Sequence, residues 1–411
     1  MEERKPKTEA TRRGFLGVAS AALAATGFLS ATGLRGQEKA TQAVDFGTTN
    51  QVLDAANPDS THPPATDAGG LPPFKYPSSL GEKIPVHGGW IREVTVRELG
   101  IAKTISCAQI RLGAGAIREL HWHSVSEWCF MLNGNTRITC IDEEGKSFVT
   151  DLKKGDLWYF PAGYPHSLQG LGPDGSEFLL AFDDGNFSER VTPLLSDWMI
   201  HTPRDVVAKN FGLSQQALQN MPTSPLIIFP SKVPGPLAGD QRAAAGAKGQ
   251  SSIDFAYRTM EQAPTKRNKG GEVRIVDSAN FPVATRIAAA IVTVYPGGMR
   301  ELHWHPNADE WQFFISGKGR QTVFATAGHA RTMDFEGGDV GYVPLGAPHY
   351  VENTGNTDLQ FLELFRSDRY QDVSLNEWLA NTPPDVVEAN LGLDKASWGK
   401  LPKTKTVFIP E

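Results

Sequence analysis

The sequence RELHWH occurs twice, at Arg118–His123 and again at Arg300–His305. Residues two apart on a β-strand point to the same face, so His121 and His123 share one face of the predicted strand. Trp122 lies on the other face, where we expect it to pack against an adjoining layer; a role in electron transfer between sites is the alternative. Two imidazoles side by side are suited to binding one metal ion. The repetition predicts two related domains, each with a metal site.

The similarity between the two halves extends beyond this motif. Gly155-Asp156 matches Gly338-Asp339, and Asp205-Val206-Val207 matches Asp385-Val386-Val387. Each half consists of short alternating runs, such as RITCID, EFLLAF and DVGYVP, bounded by turn residues, which is typical of β-strands. Each half then ends in a helical segment that Thr-Pro interrupts. The pattern predicts an all-β fold of two tandem sandwiches or barrels, each followed by short helices.

Clusters of Pro, Gly and Ala mark the boundaries between the predicted segments. Residues 44–80 are rich in Pro, Gly, Asp and Thr, and 231–251 in Gly, Ala and Pro, compositions typical of extended or linking chain. The predicted segments are a signal peptide at 1–40, an extended arm at 41–80, a first domain at 81–230, a linker at 231–251 and a second domain at 252–411.

The N-terminus carries a twin-arginine pattern. Thr11-Arg12-Arg13-Gly14-Phe15-Leu16 precedes an apolar run from Val18 to Leu29, as in export signals that are later removed. The run is too short and too rich in Ala and Gly for a stable membrane span. We therefore expect the twin-arginine export machinery as a partner and export in folded form to the periplasm or the outside.

Composition excludes several classes of protein. The 411 residues are 40% hydrophobic and 21% charged, with a formal net charge of -6, which is typical of a globular protein. Basic residues are scattered, so no nucleic-acid surface is expected. We expect the three cysteines, Cys107, Cys129 and Cys140, to be buried small hydrophobes. A Cys107–Cys140 disulfide is an open alternative.

Each half supplies the same four potential metal ligands. A glutamate follows each histidine pair, and a further histidine follows each glutamate by 39 residues. Three imidazoles and a carboxylate leave an octahedral metal two open positions and suit Mn(II), Fe(II) or Ni(II), whereas they would saturate tetrahedral zinc. The two predicted ligand sets are His121, His123, Glu127 and His166, and His303, His305, Glu310 and His349.

The spacing of these residues strongly resembles the cupin superfamily, whose fold is a double-stranded β-helix or jelly-roll barrel. Its first motif is met by Gly115, His121, His123, Glu127 and Gly134, and again by Gly297, His303, His305, Glu310 and Gly317. Its second motif is met by Gly155, Pro161, Gly163 and His166, and by Gly338, Pro344, Gly346, His349 and Asn353. The first copy departs from the second motif only at Gly170, where the family has Asn.

Within that superfamily the chain resembles the bicupin oxalate decarboxylases from about Gly89 to Ser374. The phrases that carry the resemblance include DLWYFPAGYPHS, EFLLAFDDGNFSE and MRELHWHPNADEWQFFISGK. The resemblance implies conversion of oxalate to formate and carbon dioxide, with two manganese ions per chain and with dioxygen required but not consumed. It also implies a homo-oligomer, either a trimer or a hexamer.

The resemblance further assigns catalytic roles. Arg118 and Arg300 match the arginines that hold oxalate beside each metal, and a bend near Gly113–Ala116 is expected to bring Arg118 onto the ligand face. Glu189, in the loop DDGNFSERV, matches the family's lid glutamate that accepts and returns a proton. Arg190-Val191 then replaces small polar residues of the family, which bears on lid mobility.

The second half differs at one buried position. Glu363 stands where the first half has Leu180. A carboxylate among apolar residues needs a partner such as Arg300 or the metal, or is protonated, and Glu363 resembles a glutamate of the family's second site. We expect catalysis at the first site and a structural or auxiliary role for the second.

Three alternative functions remain on the sequence alone. An oxalate oxidase shares metal and substrate but yields carbon dioxide and hydrogen peroxide, and a protonating lid residue such as Glu189 argues against it. A bicupin dioxygenase for a larger phenol or diketone would not need Arg118. A storage or binding bicupin commonly loses its metal ligands, whereas both sets are complete here.

Overall fold

The strands dominate the fold, as the alternating runs predict. A computed structural model describes residues 49–411, and the predicted signal segment 1–40 lies outside these described residues. The strands up to the end of the first half are β1 (Lys75–Pro77), β2 (Ile84–Val86), β3 (Gly89–Val94), β4 (Ser106–Leu112), β5 (Ile117–His121), β6 (Glu127–Ile141), β7 (Ser147–Lys153), β8 (Leu157–Phe160), β9 (His166–Gly170), β10 (Ser176–Phe182) and β11 (Ile228–Phe229).

The second half repeats this series. Its strands are β12 (Ala256–Tyr257), β13 (Lys266–Asn268), β14 (Gly271–Val276), β15 (Ala288–Val294), β16 (Met299–Trp304), β17 (Glu310–Ser316), β18 (Lys318–Ala325), β19 (His329–Glu336), β20 (Asp339–Val343), β21 (His349–Asn353), β22 (Leu359–Phe365), β23 (Val373–Ser374) and β24 (Phe408–Ile409). The α-helices of the described chain are α1 (Gln51–Ala56), α2 (Pro58–Thr61), α3 (Leu195–Ile200), α4 (Arg204–Phe211), α5 (Leu237–Ala245), α6 (Leu375–Ala380), α7 (Pro384–Leu391) and α8 (Lys395–Trp398). Single 3₁₀ turns occur at Ser78–Leu80, Glu189–Val191, Gln215–Leu218 and Thr259–Glu261.

Each half forms a barrel of antiparallel strands. In the first barrel the long strand β6 pairs with β10 and β8 through its N-terminal part and with β7 and β9 through its C-terminal part. The second barrel divides the same role between β17 and β18, which belong to two sheets. The prediction of two tandem jelly-roll barrels is confirmed.

Apolar side chains point to both faces of the central strands. Along β10, Phe178, Leu180 and Phe182 fill the interior of the first barrel, whereas Leu179 and Ala181 face outward. Leu179 and Ala181 share one cluster with Trp311 and other side chains of the second barrel. The two barrels therefore pack against each other through a common apolar core, because strands buried on both faces lack a polar side.

The predicted arm does not simply extend away from the barrels. Its strand β1 pairs with β20 of the second barrel, and the adjacent Phe74 is fully buried in that barrel's core. Helix α5, inside the predicted linker, is held to β6 by an ion pair between Asp240 and Arg137. Strand β12 pairs with β8, so residues of the predicted second domain also extend a sheet of the first.

The predicted helical segments occur at the end of each barrel. Thr-Pro separates α3 from α4 and α6 from α7, because proline lacks the N–H that a continuous helix needs. All three cysteines are buried and unpaired, which confirms the expected role and rules out the Cys107–Cys140 disulfide. Within residues 49–411, none of the helices is long and apolar enough to cross a membrane.

Candidate metal centres and substrate pocket

A β-bulge brings the arginine and the histidines of RELHWH to one face. Arg118 pairs with Leu168 and His121 with His166, so three steps along β5 correspond to two steps along β9. The extra residue reverses the alternation between the two positions, and both side chains are buried while Leu120 between them is exposed. The expected bend at Gly113–Ala116 is therefore wrong: the irregularity lies inside the strand, between Arg118 and His121.

The second barrel repeats the bulge between Arg300 and His303 on β16. The tryptophan of each motif points away from the metal ligands, as expected. Trp122 packs edge-on against Trp198, with 5.7 Å between ring centroids, and Trp304 packs in the same way against Trp378.

The four predicted ligands of the first site meet inside the barrel. The ligand atoms of His121, His123, Glu127 and His166 lie within 4.8 Å of one another, and all four side chains are buried. His123 lies just beyond the end of β5, and Glu127 opens β6. His166 follows a turn in which Gly163 has a φ of 85°, a conformation that favours glycine at the third position of a type II turn.

Hydrogen bonds fix the orientation of two of the three imidazoles in the first site. His121 Nδ1 donates to the Glu119 carbonyl at 2.6 Å, and His166 Nδ1 donates to the Tyr164 carbonyl at 2.8 Å. A carbonyl only accepts, so Nδ1 of each ring carries a proton, and in the neutral form of such a ring Nε2 carries the free lone pair. Burial, with the charge of Arg118 and the neighbouring imidazoles, lowers the pKa of His121 well below its usual value. Neutral imidazoles of this kind are ready to bind a metal.

The buried acceptor atoms test whether a metal fits. Nε2 of His121 and His166 and Oε2 of Glu127 have no hydrogen-bond partner within the described chain. Groups of this kind are rarely left unsatisfied in a folded protein. Nitrogen and carboxylate oxygen aimed at one point match a divalent cation of the manganese or iron type, so the donor set fits a metal.

The other oxygen of each ligating carboxylate is held by the protein. Trp158 Nε1 donates to Glu127 Oε1 at 2.7 Å, and Gln312 Nε2 donates to Glu310 Oε1 at 2.7 Å. Such support orients the remaining oxygen toward the metal position. Sequence reasoning missed Trp158 and Gln312 because nothing in their spacing links them to the ligands.

The second site brings its four ligands together in the same way. The ligand atoms of His303, His305, Glu310 and His349 also lie within 4.8 Å of one another. All three histidines donate from Nδ1 to backbone carbonyls, at 2.7 to 3.0 Å. Their Nε2 atoms and Glu310 Oε2 have no hydrogen-bond partner among residues 49–411. Both predicted metal sites are therefore assembled.

In the first site, the predicted substrate arginine contacts the predicted lid glutamate. Arg118 donates to Glu189 Oε1 from Nε at 2.8 Å and from Nη2 at 2.6 Å. Glu189 Oε2 accepts from Thr192 Oγ1 at 2.8 Å and lies 3.2 Å from His123 Nε2. Arg118 is 1% exposed and Glu189 is 3% exposed. The lid glutamate thus lies inside the barrel, beside both the arginine and a metal ligand.

This environment favours the ionised form of Glu189. Burial acts to raise the pKa of the carboxyl, but the nearby Arg118 charge, His123 and the Thr192 hydroxyl outweigh it and lower the pKa well below its usual range. Thr192 lies three residues after Glu189 and holds its carboxylate locally, a contact that no pattern in the sequence indicates.

In the second site, an aspartate takes the corresponding place. Arg300 Nη2 contacts Asp372, donates to Tyr370 Oη at 3.1 Å and shares Asp372 with Lys405. Burial acts to raise the pKa of Asp372, yet Arg300 and Lys405 lower it. Asp372 was not among the predicted site residues, although it follows the buried strand β22 as Glu189 follows β10.

Glu363 has no hydrogen-bond partner and no ion pair in the described chain. Burial, followed by the charge of Glu310, raises the pKa of Glu363 to about 8. The contact with Arg300, one of the sequence-based options for this carboxyl, is not formed, and the raised pKa favours its protonated form.

The glutamate of each RELHWH copy makes structural hydrogen bonds and is not a metal ligand in either set. Glu119 accepts hydrogen bonds from Ser196 and from the backbone N–H groups of Leu226 and Ile227. Glu301 accepts from the Ser374 hydroxyl in the second barrel. Each glutamate therefore ties the ligand-bearing strand to the helical segment that follows its barrel.

Comparison with known proteins points in one direction. Residues 79–219 and 257–397 match the Cupin family. Oxalate decarboxylase OxdC of Bacillus subtilis (strain 168) is 49% identical over 372 residues, which cover 90% of this chain and 95% of that protein. A probable oxalate decarboxylase of Arthroderma benhamiae is 42% identical over 377 residues, covering 91% and 92%.

Solved structures agree with these relatives. Bacillus subtilis oxalate decarboxylase at pH 4.6 superposes with a TM-score of 0.86 at 48% identity, covering 92% of this chain and 97% of that one. A structure concerned with the Mn(II) centres of the same enzyme has a TM-score of 0.87 at 48% identity, covering 92% and 98%.

Proposed function

The chain belongs to the cupin family and, within it, to the oxalate decarboxylases, and from this premise we propose how its residues convert oxalate to formate and carbon dioxide. The observation that carries the proposal is the contact of Arg118 with Glu189 beside three histidines and a glutamate. A guanidinium suited to a carboxylate and a carboxylate suited to a proton meet at one metal position.

His121, His123, Glu127 and His166 would hold manganese in the first site, and the matching residues would hold a second ion in the second barrel. When bound, the metal supplies a Lewis acid that polarises a coordinated carboxylate and a centre able to exchange one electron. We propose dioxygen as the co-catalyst, required but not consumed, since a one-electron relay needs an acceptor that is restored in each turnover.

Arg118 binds the substrate. Oxalate carries two carboxylates, and the Nε and Nη2 groups of Arg118 can donate to one of them as they donate to Glu189 in this structure. Two donors of one guanidinium on a single carboxylate fix its position and balance its charge. Oxalate at Arg118 takes the place of Glu189, so the carboxylate of Glu189 is released toward the reacting atoms.

Glu189 moves the proton. The overall conversion takes monoprotonated oxalate to formate and carbon dioxide, so a proton leaves an oxygen and returns to a carbon. Glu189 is ionised in the resting site, as its lowered pKa indicates, and can accept the proton and then return it. The burial of Glu189 and Arg118 also keeps water away, which favours return of the proton over oxidation to peroxide.

We assign turnover to the first site. In the second site Asp372 contacts Arg300 and is also held by Lys405, so the position for a substrate carboxylate is occupied by a carboxylate with a second tether. A structural or auxiliary role for the second metal is consistent with this arrangement.

We also propose a homo-oligomer, trimeric or hexameric, and export in folded form through the twin-arginine machinery to the periplasm or the outside. Exposed apolar side chains on the helices of both halves, among them Trp198, Phe211, Trp378 and Leu391, support association. The pattern Thr11–Leu16 supports export. Sedimentation of the protein and fractionation of cells expressing the full chain test these two proposals.

The reaction is tested by product analysis. Manganese-loaded protein is given carbon-13 oxalate in air, and formate and hydrogen peroxide are measured together, in parallel with Glu189→Ala. One formate per oxalate, lost in the variant, supports the decarboxylase and the role of Glu189. Peroxide without formate would establish an oxidase instead. If neither formate nor peroxide formed, the result would contradict oxalate as the substrate.

A further inference from the structure

The lid, defined as Asp183–Val191, is attached by charged contacts to Glu93 on strand β3 and to Glu82 just before strand β2. Arg190 Nη2 lies 2.8 Å from Glu82 Oε2, and Arg190 Nε lies 3.3 Å from Glu93 Oε2. The backbone N–H of Arg190 also donates to Glu93 Oε1 at 3.2 Å. One side chain of the lid thus joins two carboxylates of the scaffold.

Glu93 also accepts a hydrogen bond from a second residue of the lid. Ser188 Oγ lies 3.1 Å and 3.0 Å from the two carboxylate oxygens of Glu93. Ser188 and Arg190 flank Glu189 in the chain, so both neighbours of the catalytic carboxylate are fixed to the same buried side chain. Burial raises the pKa of Glu93, whereas Ser188 and Arg190 oppose that effect. Arg190 is therefore the cation that compensates a carboxylate near Glu189.

We propose that Arg190 is a positioning residue that latches the lid shut, and that its release controls when oxalate enters and leaves the first site. The inference rests on the proposed function, since it assumes that oxalate binds at Arg118. With the lid in this position, Glu189 is paired with Arg118. Opening must therefore break the latch, which is the contact of Arg190 with Glu82 and Glu93, and must also separate Glu189 from Arg118.

The exposure of the latch sets its strength. Arg190 is 44% exposed at its side chain and Glu82 is 72% exposed, whereas Glu93 is 6% exposed. Solvent-exposed ion pairs contribute little each, so loss of the latch is expected to raise the opening frequency about two- to tenfold rather than by orders of magnitude. Such a contact is also weakened by salt, because exposed charges are screened.

The second barrel provides an internal comparison. The stretch from Phe182 to Trp198 in the first half is three residues longer than the matching stretch from Phe365 to Trp378. The shorter stretch carries Asp372, which Lys405 and Arg300 hold. The longer, lid-bearing stretch has an exposed latch, and the shorter one has a tethered carboxylate. Only the first arrangement suits repeated opening.

Hydrogen exchange measures opening without turnover. Manganese-loaded wild type, Arg190→Gln, Arg190→Lys, Glu82→Gln and the Arg190→Gln/Glu82→Gln double variant are compared by mass spectrometry of the lid peptides. We expect faster exchange in Arg190→Gln, partial recovery in Arg190→Lys, and a smaller effect of Glu82→Gln that vanishes in the Arg190→Gln background. Salt should accelerate the wild type but not Arg190→Gln. The control is Lys153→Gln, which removes another exposed pair, with Glu261 at 3.0 Å.

The kinetics of oxalate binding test whether the lid controls access to the first site. Association and dissociation of oxalate are followed by stopped flow on manganese-loaded protein without dioxygen. Because oxalate enters and leaves through the same opening, both rate constants should rise by about the same factor in Arg190→Gln, with little change in Kd. Lid exchange that stays at the wild-type rate, or weaker binding at an unchanged association rate, would overturn the latch. Failure of the proposed function is separate, since it appears as absence of formate while lid exchange still responds to Arg190→Gln.

Discussion

Replacing Glu189 by glutamine should strengthen the binding of oxalate while abolishing formate production. In the wild type, oxalate has to displace the carboxylate of Glu189, which accepts two hydrogen bonds from Arg118 at 2.8 Å and 2.6 Å. Glutamine has the same shape and still offers an oxygen, but it carries no charge. The Glu189→Gln variant therefore keeps the pocket and weakens the internal competitor for Arg118.

The size of the effect follows from this one contact. A hydrogen bond to a charged group contributes about 1.5–3 kcal/mol, and each 1.4 kcal/mol changes an equilibrium constant about tenfold. We expect oxalate to bind about ten- to a hundredfold more tightly in Glu189→Gln. Because Arg118 is 1% exposed, the variant also leaves a buried guanidinium without its counter-charge. Its melting temperature without oxalate should fall, and oxalate should restore it by more than in the wild type.

Isothermal titration of manganese-loaded protein without dioxygen measures the affinity, and metal content is determined on the same samples. Glu144→Gln serves as the control because it removes an exposed carboxylate that pairs with Lys146. Oxalate affinity that is equal or weaker in Glu189→Gln, at unchanged metal content, would refute the view that Glu189 occupies the substrate position on Arg118.

Three further outcomes are expected. Trp158→Phe removes the hydrogen bond to Glu127 and should lower manganese affinity of the first site alone by about 10- to 100-fold, measured by metal titration with electron paramagnetic resonance. His303→Ala should retain formate production if the fold and first-site manganese are intact, so loss of turnover would place catalysis at the second site. In metal-free protein, the raised pKa of Glu363 means that between about pH 4.5 and 8 the folded state keeps a proton that the unfolded state has released. The free energy of unfolding should therefore fall across that pH range more steeply in the wild type than in Glu363→Gln. Parallel profiles of the two proteins in denaturation experiments would contradict the raised pKa.

The ligand sets were predictable because strand geometry and repetition constrain them. Both halves contain two histidines separated by one residue, then a glutamate and a distant histidine. In each half the four side chains come together as predicted. Alternation along a strand is a local property and can be read from sequence. The bulge between Arg118 and His121 could not, since an extra residue in a ladder depends on the partner strand β9.

Contacts between distant segments were also beyond the sequence. Asp372 and Lys405 contact Arg300 from separate parts of the chain, and Trp158 reaches Glu127 from a neighbouring strand. The arm was predicted as extended chain, and nothing in its composition indicates that Phe74 is buried in the core of the second barrel. In each case the packing of whole strands decides the neighbour, and no periodicity in the sequence encodes it.

From the two barrels we infer how one duplicated site acquires two roles. Both keep the ligands, the bulge and the arginine, so metal binding alone does not distinguish them. The difference lies in the carboxylate that contacts the arginine: Glu189 belongs to a longer segment held by exposed charges, whereas Asp372 is also bound by Lys405. A carboxylate that can leave yields its place to oxalate and then serves as a base. A carboxylate that also contacts a second cation, as Asp372 contacts Lys405, is harder to displace from the arginine, because displacement would disturb both ion pairs. Because the metal ligands are the same in both barrels, the difference in turnover that we propose between the two sites depends on whether the chain can withdraw its own anion.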